Sequence, residues 1–99
     1  MKIKVYVKQA GTSWEETIES NDIKEIYESI LDTIDANPYN CKYNNFTIYD
    51  EDGIIIYEGE WWHIDMVNEE DESEEWVIEQ NNETEEMIEE VLKKEINDE

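Results

Sequence analysis

One histidine, one cysteine and a large excess of carboxylates are the groups that this 99-residue chain offers to chemistry. His63 acting as a base would need a hydroxyl or thiol to activate, and Cys41 is the thiol it would pair with. No nucleophile motif surrounds either residue. A single histidine beside Trp61 and Trp62 in a strand-like run reads as structural, and Cys41 reads as a small buried or semi-buried thiol. Carboxylate pairs suited to glycoside hydrolysis can be drawn almost anywhere along the chain, so they select nothing. The three glycines are scattered and build no phosphate-cradling loop. "DEDG" at Asp50 to Gly53 opens like a calcium loop. Counted from Asp50, however, Ile55 stands where the loop needs glycine and Trp61 where it needs the closing glutamate. The expectation is a protein that is not an enzyme and has no dedicated metal or cofactor.

The charge is the informative quantity. There are 29 acidic residues against seven lysines and no arginine, a net of −22. Solubility of a small domain needs a magnitude of only about 2–8, and the surplus costs stability through self-repulsion. It argues against a nucleic-acid binder, which needs a basic footprint, and against docking on an anionic membrane. It favours a basic partner, a cation or a salt-adapted surface. The charge is also uneven. Residues 1–45 hold five lysines and eight acids, whereas residues 46–99 hold two lysines and 21 acids. The densest stretch is "VNEEDESEEW", Val67 to Trp76, with six acids, no base and a terminal tryptophan.

These groups must be carried by a fold. The chain has four Trp, six Tyr and one Phe, and is 38% hydrophobic. That is too apolar and aromatic for a disordered acidic tail, and suits one domain spanning 1–99. "MKIKVYVK" alternates, with Ile3, Val5 and Val7 on one face, and predicts a half-buried strand. "QAGT" is a turn, and "SWEETIES" a weaker second strand with Trp14, Glu16 and Ile18 on one face. "NDIKEIYESILDTIDAN" predicts a helix capped by Asn21 or Asp22. Ile23, Ile26, Tyr27, Ile30, Leu31 and Ile34 form its apolar stripe, and Asn37-Pro38 ends it.

Asp52-Gly53 between "FTIY" and "IIIY" predicts a hairpin. Glu58-Gly59-Glu60 reads as a bend or bulge, "WWHIDMV" as a further strand and "EEWVIEQ" as a short edge strand. A C-terminal helix at about 82–97 follows, with Met87, Ile88, Val91, Leu92 and Ile96 as its stripe. The predicted fold is a two-layer α+β domain with a largely antiparallel sheet in the order β-β-α-β-β-(β)-α. No apolar run approaches the roughly 18 residues of a membrane helix, no signal-peptide pattern is present, and a lone cysteine forms no internal disulfide. A cytoplasmic protein is expected.

Two acidic surfaces follow from this layout. One is the run itself, with Glu69, Glu70, Asp71, Glu72, Glu74, Glu75 and Trp76. The other is the outer ridge of the first helix, with Glu25, Glu28, Asp32 and Asp35. Glu83, Glu85, Glu86, Glu89 and Glu90 of the last helix add a further row. Trp61 and Trp62 are neighbours on a strand and so face opposite ways. Each of these tryptophans, like Trp76, is either core or an interface anchor.

In size, acidity and lack of a catalytic constellation, the chain resembles the small DNA-mimic inhibitors that phages and mobile elements carry against host defence. These are the anti-CRISPR proteins, anti-restriction proteins and uracil-DNA glycosylase inhibitors. The resemblance is one of size and composition over the whole chain. It rests on no motif and transfers no residue role. It implies a basic nucleic-acid-binding partner in a bacterial host cytoplasm. A Cas nuclease whose target-DNA or PAM-reading channel is blocked comes first, and a restriction enzyme second. An acidic interaction module that is no mimic is the reading from another class. Both a monomer and a dimer fit.

Overall fold

A computed structural model describes residues 1–68 and 70–97. The elements run β1 (Lys2–Gln9), β2 (Thr12–Glu19), α1 (Ile23–Asp35), β3 (Tyr43–Tyr49), β4 (Ile55–Trp62), a 3₁₀ turn (Ile64–Met66) and α2 (Glu74–Asn97). The four strands form one antiparallel sheet in the order β2-β1-β3-β4. This is the two-layer α+β architecture expected from the pattern.

Alternation in β1 buries Ile3, Val5 and Val7 and sends Lys2, Lys4 and Lys8 outward. The register continues the inner face through Phe46 and Ile48 of β3 and Trp61 of β4. Helix α1 lays Ile26, Ile30 and Ile34 on that face, each fully buried. Burying an aliphatic side chain of this size contributes about 1.5–3 kcal/mol. Asp22 caps α1 by accepting the Lys24 amide at 3.0 Å. At the other end Asn44, also fully buried, donates to the carbonyls of Ile34 and Ala36 at 2.9 and 2.7 Å, so β3 closes the helix terminus.

The second half differs from expectation in three places. First, "EEWVIEQ" is not an edge strand. It is the opening of α2, which starts at Glu74 instead of near residue 82 and runs for 24 residues. Ser73 begins it by accepting the Trp76 amide at 3.1 Å. Val77, Thr84, Ile88 and Leu92, spaced seven, four and four apart, form its buried stripe.

Second, Gly59 neither breaks nor bends the sheet, because β4 passes straight through it. It faces Phe46 across the sheet, and a Cβ there would stand 3.3 Å from the Phe46 ring. The glycine makes room for that ring. The register irregularity lies between Ile48 and Tyr49, at the hairpin end.

Third, "WWHIDMV" is no separate strand. Trp61 and Trp62 end β4, and Ile64–Met66 form the 3₁₀ turn.

Helix α2 lies across the outer edge of β4. The Asn81 side chain accepts the Trp62 amide at 3.0 Å and donates to the Trp62 carbonyl at 2.9 Å. The Thr84 hydroxyl donates to the Gln80 carbonyl one turn back at 3.1 Å and lies 3.5 Å from the Glu60 carbonyl. At Trp62 the edge is thus met by the helix, and both backbone groups there are satisfied by one side chain. Among the described residues no helix is long and apolar enough to cross a membrane.

Candidate functional site

The early start of α2 changes the acidic surface. Glu74 and Glu75 belong to its first turn, where carboxylates meet the positive end of the helix dipole. The helix carries nine glutamates against two lysines. Glu75, Glu79, Glu83, Glu86 and Glu90 recur at steps of four, four, three and four, so they make one exposed ridge on a single face. Glu79 was missed in the sequence, because the segment holding it read as a strand.

Glu70 and Asp71 are exposed in the turn before the helix, and Glu72 is half-buried. Lys42 holds this turn down, with its ammonium 3.1 Å from Asp71 and 3.4 Å from Glu72. The hydrogen bond to Asp71 is the main reason that its pKa is raised above the usual lysine value. Two of the carboxylates in the run are therefore paired across the chain. Glu69 lies outside the described residues.

The α1 ridge stands apart from this surface. Glu25, Glu28, Asp32 and Asp35 are all exposed. Glu25 accepts the Ser20 hydroxyl at 3.1 Å. Asp35 accepts the Trp61 indole N–H at 2.8 Å, and the same oxygen lies 3.9 Å from His63 Nδ1. Among the described residues, no hydrogen bond or ion pair joins the ridge to the 70–76 segment. Asp35 is partly a structural residue, while Glu28 and Asp32 lie exposed on the solvated face. The two helices do approach each other. Burial raises the Tyr27 pKa first, and Glu85 and Glu89 across the gap raise it further.

His63 is buried, and desolvation pushes its pKa below the usual histidine value against the opposing pull of Asp35. Its Nε2 is buried without a hydrogen-bond partner among the described residues. It lines a cleft of about 460 Å³ together with Asp35, Asn37, Asp65 and Asn81. Cys41 does not line that cleft, and its sulfur meets the Tyr39 carbonyl at 4.0 Å. Among the described residues no group of three or more His, Cys, Asp or Glu is placed to hold a metal ion.

The tryptophans divide as neighbours on a strand must. Trp61 is buried on the inner face, and Trp62 lies on the outer face. Tyr43, directly opposite Trp62 in the register, stacks on it with ring centroids 4.7 Å apart. Trp76 meets Trp62 edge-on at 4.8 Å. Tyr43 remains 39% exposed and Trp76 37%. The acidic helix thus begins at an aromatic cluster open to solvent. Tyr43 carried no signal in the sequence, because its partner is set by a register that local pattern does not encode.

Comparison with known protein families, curated proteins and solved structures finds no match for this chain.

Proposed function

We propose that this protein is an acidic mimic of nucleic acid that docks in the basic channel of a nucleic-acid-binding protein and keeps the natural ligand out. The observation that carries the reading is α2, a helix of 24 residues with nine glutamates. At 1.5 Å per residue the five ridge glutamates from Glu75 to Glu90 span about 22 Å, so the carboxylates of that face fall about one per 5–6 Å. A single DNA strand presents one phosphate per roughly 3.4 Å of axis. A helix held by packing offers its sparser row of charge without the ordering cost that a disordered acidic tail meets on binding. The exposed acids Glu70 and Glu74 extend the surface beyond the ridge.

The partner proposed first is a Cas nuclease whose lysines and arginines await target DNA. A restriction enzyme is proposed second, and the host cytoplasm is the proposed setting. The resemblance to small phage inhibitors supports this choice. Electrostatic complementarity would make association fast and strongly salt-dependent.

The test is a pull-down of the tagged protein from a bacterial lysate, washed in rising salt and challenged with duplex DNA. Retention of a Cas nuclease or restriction subunit that salt releases and DNA displaces is the expected result. Retention of no basic protein, or only of a partner indifferent to salt and DNA, would overturn the proposal.

A further inference from the structure

The aromatic cluster at the start of α2 has a chemistry distinct from the carboxylates around it. Tyr43, Trp62 and Trp76 join β3, β4 and α2, and leave two rings more than a third exposed. Their neighbours are acids. Glu79 is three residues after Trp76 and so shares its helix face. Glu60 is two residues before Trp62 and so shares the outer sheet face. Neither glutamate has an ion pair among the described residues. Lys42, next to Tyr43 in the chain, is already paired with Asp71 and Glu72.

An apolar partner on this patch would strip water from Glu60 and Glu79 with nothing in return. A lysine would answer the charge but use little of the ring faces. A guanidinium does both, because it is planar, stacks on aromatic rings and donates in a fork to a carboxylate. We infer that Tyr43, Trp62 and Trp76, flanked by Glu60 and Glu79, form an anchor for an arginine side chain of the basic partner. The inference rests on the acidic-docking reading above and adds that the surface distinguishes arginine from lysine.

Labelled oligo-arginine and oligo-lysine peptides of equal length and charge test it, with fluorescence anisotropy at low salt. A cation–π contact of this exposure amounts to about a two- to fivefold change in affinity. Oligo-arginine should bind wild-type protein more tightly by about that factor. Trp76→Ala should abolish the preference by lowering oligo-arginine binding more than oligo-lysine binding, and Glu79→Gln should weaken the arginine peptide more than the lysine peptide. Circular dichroism confirms that the variants fold, and Tyr43→Ser provides a second removal of ring surface on another element. Equal binding of both peptides, unmoved by Trp76→Ala and Tyr43→Ser, overturns the anchor and leaves the acidic reading standing. Failure of both peptides to bind wild-type protein overturns the acidic reading itself, and the anchor with it.

Discussion

Neutralising the α2 ridge should move binding and stability in opposite directions. Glu75, Glu79, Glu83 and Glu86 are all exposed, and changing them to glutamine takes the net charge from −22 to −18. Glutamine matches glutamate in helix propensity, so the backbone has no reason to object. The change removes five like-charge contacts at three- or four-residue spacing, namely 75 with 79, 79 with 83, 83 with 86, 86 with 89 and 86 with 90. Each is worth roughly 0.2–0.5 kcal/mol. Against this, the dipole contribution of Glu75 in the first turn, about 0.3–1 kcal/mol, is lost. The balance is about 1 kcal/mol of added stability, or a Tm rise of about 4–8 °C for a domain of this size. Binding should fall, because each interfacial ion pair contributes about 0.2–1 kcal/mol. Four of them weaken affinity by roughly 4- to 1,000-fold, and the dependence on salt becomes shallower. The assays are a thermal melt of the protein alone and a salt series of Kd for the partner recovered in the pull-down. A variant that melts higher yet binds as wild type would refute the placement of the contact surface on α2. One that melts lower would refute the claim that these carboxylates strain the helix.

Asn81→Ala leaves the Trp62 N–H and C=O without their partner, and should cost about 1–3 kcal/mol in urea denaturation, less the small gain in helix propensity; the Trp62 amide should exchange faster, and an unchanged midpoint would deny the clasp. Gly59→Ala places a methyl 3.3 Å from the Phe46 ring and should lower stability by about 1 kcal/mol, although alanine is ordinarily the less costly residue in a strand. His63 has a folded pKa below its unfolded value near 6.5, so the unfolded state binds the proton first and the stability tied to neutral His63 is lost as pH falls through about 6.5. Denaturant titrations at pH 7.5 and pH 5.5 should therefore show wild type losing stability relative to His63→Gln. The comparison cancels the carboxylate titrations common to both proteins, and parallel curves would contradict the assignment.

The elements that could be read from the sequence are those whose signal is local. In β1 the alternation of Ile3, Val5 and Val7 is unbroken, and in α1 the spacing from Ile23 to Ile34 holds throughout, with Asp22 as the cap. Local signals misled in the second half because two residues do long-range work. Gly59 reads as punctuation, yet it is small because of Phe46, which lies thirteen residues earlier and directly opposite in the sheet. Asn81-Asn82 reads as the start of a helix, since asparagine is a poor interior residue that competes for backbone hydrogen bonds. Asn81 in fact sits mid-helix, where its amide bonds the backbone of Trp62. The acidic composition of the site was plain from the outset. Its geometry depended on where α2 starts, and so on that one asparagine.

The same dependence bears on how the surface could act. A helix with nine glutamates repels itself and would be marginal alone, since helical stability in proteins comes mainly from packing an apolar face. Here Val77, Ile88 and Leu92 supply the face, Asn81 fastens the helix to β4, and Lys42 draws Asp71 and Glu72 of the preceding turn toward β3. The fasteners lie under or beside the charge that they restrain. The carboxylates are therefore presented in a fixed row because the sheet edge fixes them. By meeting Trp62, the residue that Asn81 grips, edge-on, Trp76 is held in the same way. Charge spacing and aromatic anchor thus share one mechanical origin, the seating of α2 on the edge of β4.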